Sequence, residues 1–150
     1  MARSVQQPMV KTLIASAAVT STASSANFSI GMADSYTFIL NVTAIVATTP
    51  TLDVVYQTSI DGGTTYINVP WRHAQITTTT GNSFLTVRCG LGIGEVGDEG
   101  VVADTGGTLK KPCVVDVLHM KIKYTIGGTS PSYTFSLTLF AMAPGSGLLT

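Results

Sequence analysis

Apolar and polar residues alternate along most of this 150-residue chain, and the alternation predicts strands. Tyr36, Phe38, Leu40, Val42, Ala44 and Val46 fall on one side of a long run. A period of two leaves a strand with one buried face. Thr48-Thr49-Pro50 breaks that run, and Leu52, Val54, Tyr56 and Ile60 resume it. Asp61-Gly62-Gly63 then predicts a tight hairpin into Thr64–Val69, because these residues accept the positive φ that such turns need. Pro70 ends this strand in the sequence reading, since proline donates nothing to a ladder. Val10–Ala15, Asn27–Ile30, His73–Thr77 and Ser83–Cys89 read as further strands, and Ala17–Ala26 as strand or loop.

The strongest periodicity lies at the end, in Val114–Met142. Leu118, Met120, Ile122, Tyr124 and Ile126 oppose His119, Lys121, Lys123 and Thr125. Beyond Gly127-Gly128-Thr129-Ser130-Pro131-Ser132, Tyr133, Phe135, Leu137, Leu139 and Ala141 alternate with Thr134, Ser136 and Thr138. Gly, Ser and Pro between two such runs predict a closing hairpin. No segment has helical period, and roughly eight strands fit an all-β, single-domain antiparallel sandwich of jelly-roll type, an immunoglobulin-like sandwich being the alternative.

Composition sharpens this picture in one respect. Charged residues make up 11% of the chain, with 8 basic and 8 acidic side chains in balance. Ordinary domains carry about 25%. The even balance argues against nucleic acid as a partner, which needs an excess of Lys and Arg. A surface rich in Thr and Ser and poor in charge suits contact with other protein, where charge is depleted. The chain is therefore expected to be a subunit of an assembly. No apolar run approaches the length of a membrane-spanning helix, so no membrane partner is expected.

The N-terminal order of Arg3, Lys11, Leu13-Ile14-Ala15 and Ala23-Ser24-Ser25-Ala26 is that of a secretory signal. Ser16, Thr20, Ser21 and Thr22 interrupt its apolar stretch, so the segment reads as part of the fold. Arms at about residues 1–9 and 143–150 flank the sandwich, and at least one of them is expected to dock on a neighbouring subunit.

Catalytic and metal chemistry finds little support. The acids Glu95, Asp98, Glu99 and Asp104 lie in the long Gly-rich segment Gly90–Gly107, with none of the spacing of an EF-hand. Gly90, Gly92 and Gly94 lack the helix that a dinucleotide fingerprint requires. His73 and His119 fall on different strands, and no Gly-x-Ser-x-Gly accompanies them. Cys89 and Cys113 set no disulfide framework and read as free thiols. The expectation is a protein without enzymatic activity, cofactor or metal. Its candidate contact residues are Trp71 and Arg72, of types enriched at interface centres, and Lys121 and Lys123, which with His119 form a basic stripe. The arms add Arg3, Val5 and Met9 at one end and Leu148 and Leu149 at the other.

Two segments carry a resemblance. Leu52-Asp-Val-Val-Tyr-Gln-Thr-Ser-Ile-Asp-Gly-Gly-Thr-Thr-Tyr66 and Lys121-Ile-Lys-Tyr-Thr-Ile-Gly-Gly-Thr-Ser-Pro-Ser-Tyr-Thr-Phe-Ser-Leu137 resemble structural proteins of tailed bacteriophage virions, most of all head decoration (cement) proteins with a jelly-roll fold. Relatives carry Trp where this chain has Tyr66, and the N-terminal third lies outside the resemblance. What it implies is a homo-oligomer, with a trimer favoured, seated on the major capsid protein at the outside of the capsid. The localisation implied is the virion, assembled in the host cytoplasm. A tail or fibre component, or a glycan- or receptor-binding module with a groove rimmed by Trp71, Tyr66 or Tyr36, is the alternative.

Overall fold

The computed structural model describes residues 9–30, 33, 35–88 and 118–142. Among them the chain is all-β, with every strand pair antiparallel and no helix. The strands are β1 (Met9–Val19), β2 (Ala23–Ser24), β3 (Ser35–Ser59), β4 (Tyr66–Arg72), β5 (Gly81–Arg88) and β6 (Met120–Met142).

β3 and β6 are the frame. They pair along almost their whole length, from Ser35 opposite Met142 to Thr58 opposite Met120. The expected closing hairpin is therefore not formed. The two sides of Gly127–Ser132 pair with β3 and not with each other, and β6 runs through the segment beside Thr48–Thr51 of β3. Three register shifts in β3 fall at Val42/Ala44, Val46/Thr48 and Thr48/Thr51, next to this segment. Positive φ occurs at Thr49 (51°), Gly128 (113°) and Ser130 (47°). Extra residues in a ladder bend a strand and increase its twist. Here the irregularities of both strands lie side by side, so the two strands bend together.

The bend is sharp enough to fold each strand back. Phe38 and Tyr56 both belong to β3, and a straight strand would hold them about 60 Å apart. Their ring centroids are 4.4 Å apart. Tyr124 and Phe135 of β6 meet in the same way, edge to face at 5.4 Å. Each half of the frame then recruits its own partners. The half from Ser35 to Val42 and from Tyr133 to Met142 is flanked by β5 on the β3 side and β1 on the β6 side. The other half is flanked by β4 and by β2, with Phe28 bridging to Met120.

Both halves contribute to one buried core. Phe38, Leu40, Tyr56, Trp71, Ile122 and Phe135 are fully buried in it. Burial of each such side chain stabilises the fold by about 1.5–3 kcal/mol. The alternation expected for Tyr36–Val46 holds through Val42 and fails at the first bulge, which turns Ala44 and Val46 out to solvent. β4 continues through Pro70 to Arg72, beyond the expected end at Pro70, and His73–Thr77 contributes a bridge at Ile76 rather than a strand.

The Asp61-Gly62-Gly63 hairpin forms as expected and joins β3 to β4. Gly62 (φ 72°) and Gly63 (φ 107°) supply the positive φ. Ser59 and Asp61 complete the turn. Ser59 Oγ accepts from the Gly63 amide at 2.7 Å, and Asp61 Oδ1 accepts from the amides of Thr64 and Thr65 at 3.0 and 2.6 Å.

Candidate functional site

Among the described residues, Lys121, Lys123 and Arg72 share one surface, the outer face of the half built from β2, β6, β3 and β4, while Lys11 is exposed on β1 of the other half. The alternation puts Ile122, Val54 and Tyr56 inward and Lys121, Lys123, Val55 and Gln57 outward. Register then sets the neighbours. Val55 pairs with Lys123 on one side and with Arg72 on the other. Gln57 pairs with Lys121 and with Asn68. Three positive charges therefore occupy two adjacent rows of one sheet, with Lys123 and Arg72 about 10 Å apart across a strand. Alternation in β4 turns Val69 and Trp71 inward and Arg72 outward, and a register shift between the Val55 and Gln57 pairs brings Arg72 opposite Val55.

The polar groups around these cations are held in place. Lys121 Nζ lies 4.2 Å above the centre of the Tyr66 ring, within cation–π range. The Tyr66 hydroxyl donates to Asn27 Oδ1 at 2.7 Å, and Gln57 Nε2 donates to Asn68 Oδ1 at 2.8 Å. Two described acids lie nearby, and both have other partners. Asp53 accepts from Gln75 Nε2 on both carboxylate oxygens, at 3.0 and 2.9 Å. Asp61 is committed to its turn, where bonds from the Thr65 hydroxyl and amide lead in lowering its pKa to about 2. Among the described residues, no carboxylate comes within ion-pairing distance of Lys121, Lys123 or Arg72. His119 heads the same stripe in sequence but is half-buried against the turn, its ring 3.0 Å from where a Cβ on Gly63 would sit.

Such a face can orient acidic groups of another molecule. Exposed ion pairs contribute little energy each, about 0–1 kcal/mol. Their stronger effects are on association rate and register.

The expected contact residues thus divide. Lys121, Lys123 and Arg72 come together on one face. Met9 opens β1 at the far edge of the other half and is partly exposed. Trp71 is a correction: it is 1% exposed and packs against Phe38 at 6.2 Å between centroids, so the folded chain offers no Trp71 contact surface. Tyr36 is likewise buried, which removes two of the three aromatics expected to rim a glycan groove. Arg3, Val5, Leu148 and Leu149 lie outside the described residues, as do the acidic segment Glu95–Asp104, Cys89 and Cys113. The described residues hold no group of three or more His, Cys, Asp or Glu placed to bind a metal.

Sequence reasoning missed a buried polar chain. His73 Nε2 lies 3.0 Å from the Tyr56 hydroxyl, and His73 Nδ1 lies 2.9 Å from Ser83 Oγ. If Tyr56 donates to Nε2 and Nδ1–H donates to Ser83, the buried phenol keeps an acceptor for its proton. Burial lowers the His73 pKa to about 4 and raises that of Tyr56, so both are neutral at neutral pH. The signal was present in the sequence, since Val69, Trp71 and His73 share one parity and are all buried.

Comparison with protein-family models, with curated proteins and with solved structures finds no match to this chain.

Proposed function

We propose that this chain is a non-enzymatic structural protein of a virus particle, a decoration (cement) protein that binds the outside of a bacteriophage capsid and stabilises its lattice. In this reading the two halves of the bent β3–β6 frame are the facing layers of a jelly-roll type sandwich. The ring contacts between Phe38 and Tyr56 and between Tyr124 and Phe135 support that arrangement.

The observation that carries the reading is the contrast between the interior and the surface. The interior histidine and its polar neighbours are consumed in structure, in the Tyr56–His73–Ser83 chain. The surface offers a broad cationic face suited to a carboxylate-bearing neighbour, here the major capsid protein. Many copies, each burying a standard interface of about 1,600 Å², can reinforce a lattice without high affinity per copy.

Heating of particles assembled with and without this chain tests the proposal, with DNA release as the readout. Particles lacking it should release DNA at lower temperature, and restoring the wild-type chain should reverse the loss. Restoring a Lys121→Glu/Lys123→Glu/Arg72→Glu chain should reverse it poorly. Equal heat stability with and without the chain would sink the reading.

A further inference from the structure

We propose that the outer face of the half built from β1, β6, β3 and β5 is the surface through which two copies of this chain pair face to face. The proposal rests on the reading that the chain works in an assembly, and it names the face and the occupant.

Strand register lays this face out in rows. One row runs Val10, Phe140, Thr37, Thr86 across the four strands. The next runs Thr12, Thr138, Ile39, Phe84, and a third continues with Ser136, Asn41 and Asn82. None of these residues is charged, and Arg88 stands only at the rim, in the row of Ser35 and Met142. Two of the most exposed large apolar side chains of the described residues belong here, Phe84 at 61% and Val10 at 56%. Ile39 and Phe140 are half-buried between them. The polar members are hydroxyls and amides, and Thr37 and Thr86 already bond each other at 3.1 Å.

Charge selects the occupant. A twofold contact sets a surface against its own image. The cationic face would oppose Lys121, Lys123 and Arg72 to themselves, and like charges opposed across a contact disfavour it. The uncharged face meets no such repulsion. Its size is also sufficient: four strands of about eight residues span about 20 by 27 Å, so two copies bury about 1,000 Å², the lower bound for a specific interface. A reversible dimer in the micromolar range is expected rather than a permanent one. The pairing leaves the cationic faces pointing away from each other, free for another partner.

Sedimentation velocity of the isolated chain, from low to high micromolar concentration, tests this directly. The wild type should shift from monomer to dimer. Phe84→Lys should weaken the dimer about 30-fold or more, as loss of a central aromatic contact does. Thr86→Lys, which adds a charge without removing an apolar group, should weaken it as well. Lys123→Glu, on the opposite face, should leave it unchanged. Fluorescence of Trp71 reports that each variant is folded. A wild type that stays monomeric throughout, or a dimer indifferent to both Phe84→Lys and Thr86→Lys, overturns the proposal. Neither result bears on particle heat stability, so this inference and the proposed function can fail separately.

Discussion

Gly128 offers the most direct test of the bent frame. It sits where β6 passes the bulged stretch of β3, with φ 113°. An L side chain in such backbone costs about 1–3 kcal/mol. Space adds a second cost. A Cβ at this position would lie 2.9 Å from the Thr49 carbonyl oxygen, 3.0 Å from that of Thr48 and 3.2 Å from Pro50 Cα. All three are backbone atoms of the partner strand, so no side-chain rotation relieves the contact. Shifting the ladder there costs about 1–3 kcal/mol more, in the range of overpacked cores.

Gly128→Ala should therefore destabilise the protein by about 2–6 kcal/mol, or lower its Tm by about 4–24 °C for a chain of this size. Gly62→Ala is the control. Its φ is 72°, but nothing lies within 4 Å of the added methyl, so only the backbone cost of about 1–2 kcal/mol applies. Urea denaturation read by the fluorescence of Trp71, the chain's single tryptophan, gives both values. Equal midpoints for Gly128→Ala and the wild type would refute the paired bend, because a true hairpin turn at Gly127–Ser132 would place Gly128 in open solvent.

Two further predictions concern the core. The His73 pKa falls from 6.5 unfolded to about 4 folded, so its contribution to stability is complete above pH 6.5 and is lost as the pH falls through that range towards 4. The loss is at most about 3 kcal/mol, and stability curves between pH 7.5 and 4.5 should show it for the wild type and not for His73→Gln; an equal slope in both would assign the effect elsewhere. Trp71 Nε1 is buried without a hydrogen-bond partner among the described residues. Trp71→Phe removes that orphan donor, worth about 1–3 kcal/mol, and so should offset much of the packing it loses; a loss of more than about 3 kcal/mol in urea unfolding followed by circular dichroism would show the indole nitrogen to be satisfied after all.

The strands were legible because alternation depends only on which residues are neighbours in sequence. Met120 and Ile122, then Tyr133 through Ala141, are buried as their parity requires. The connection between them was not legible. Gly127–Ser132 has the composition of a turn, and a turn there would satisfy every local rule. What prevents it is β3, whose own irregular stretch Val42–Thr51 lies alongside and pairs with it. Two breaks that each read as the end of a strand are in fact the same bend, seen once on each strand. Sequence separation hides this, because the match between Thr48 and Thr129 is a tertiary one. The Asp61-Gly62-Gly63 turn, by contrast, is decided by its own residues, since Ser59 and Asp61 bond within the loop they close.

The same distinction governs the cationic face. That Lys121 and Lys123 share a side follows from their spacing of two. That Arg72 joins them does not, because it depends on the register in which β4 pairs. Alternation holds through this stretch: Val69, Trp71 and His73 point in, and Arg72 points out. The step from Asn68 to Arg72 is set against the shorter step from Gln57 to Val55. The extra residues of β4 come as a pair, so they leave its parity unchanged and move Arg72 along the ladder, from opposite Asp53 to opposite Val55, one strand away from Lys123. The reading of Trp71 as a contact residue set residue type above parity, since Val69 and His73 share its side. The joining of Arg72 to the lysines is instead a matter of register. Patterns of period two tell which face a side chain takes, and pairing decides which charges become neighbours on that face.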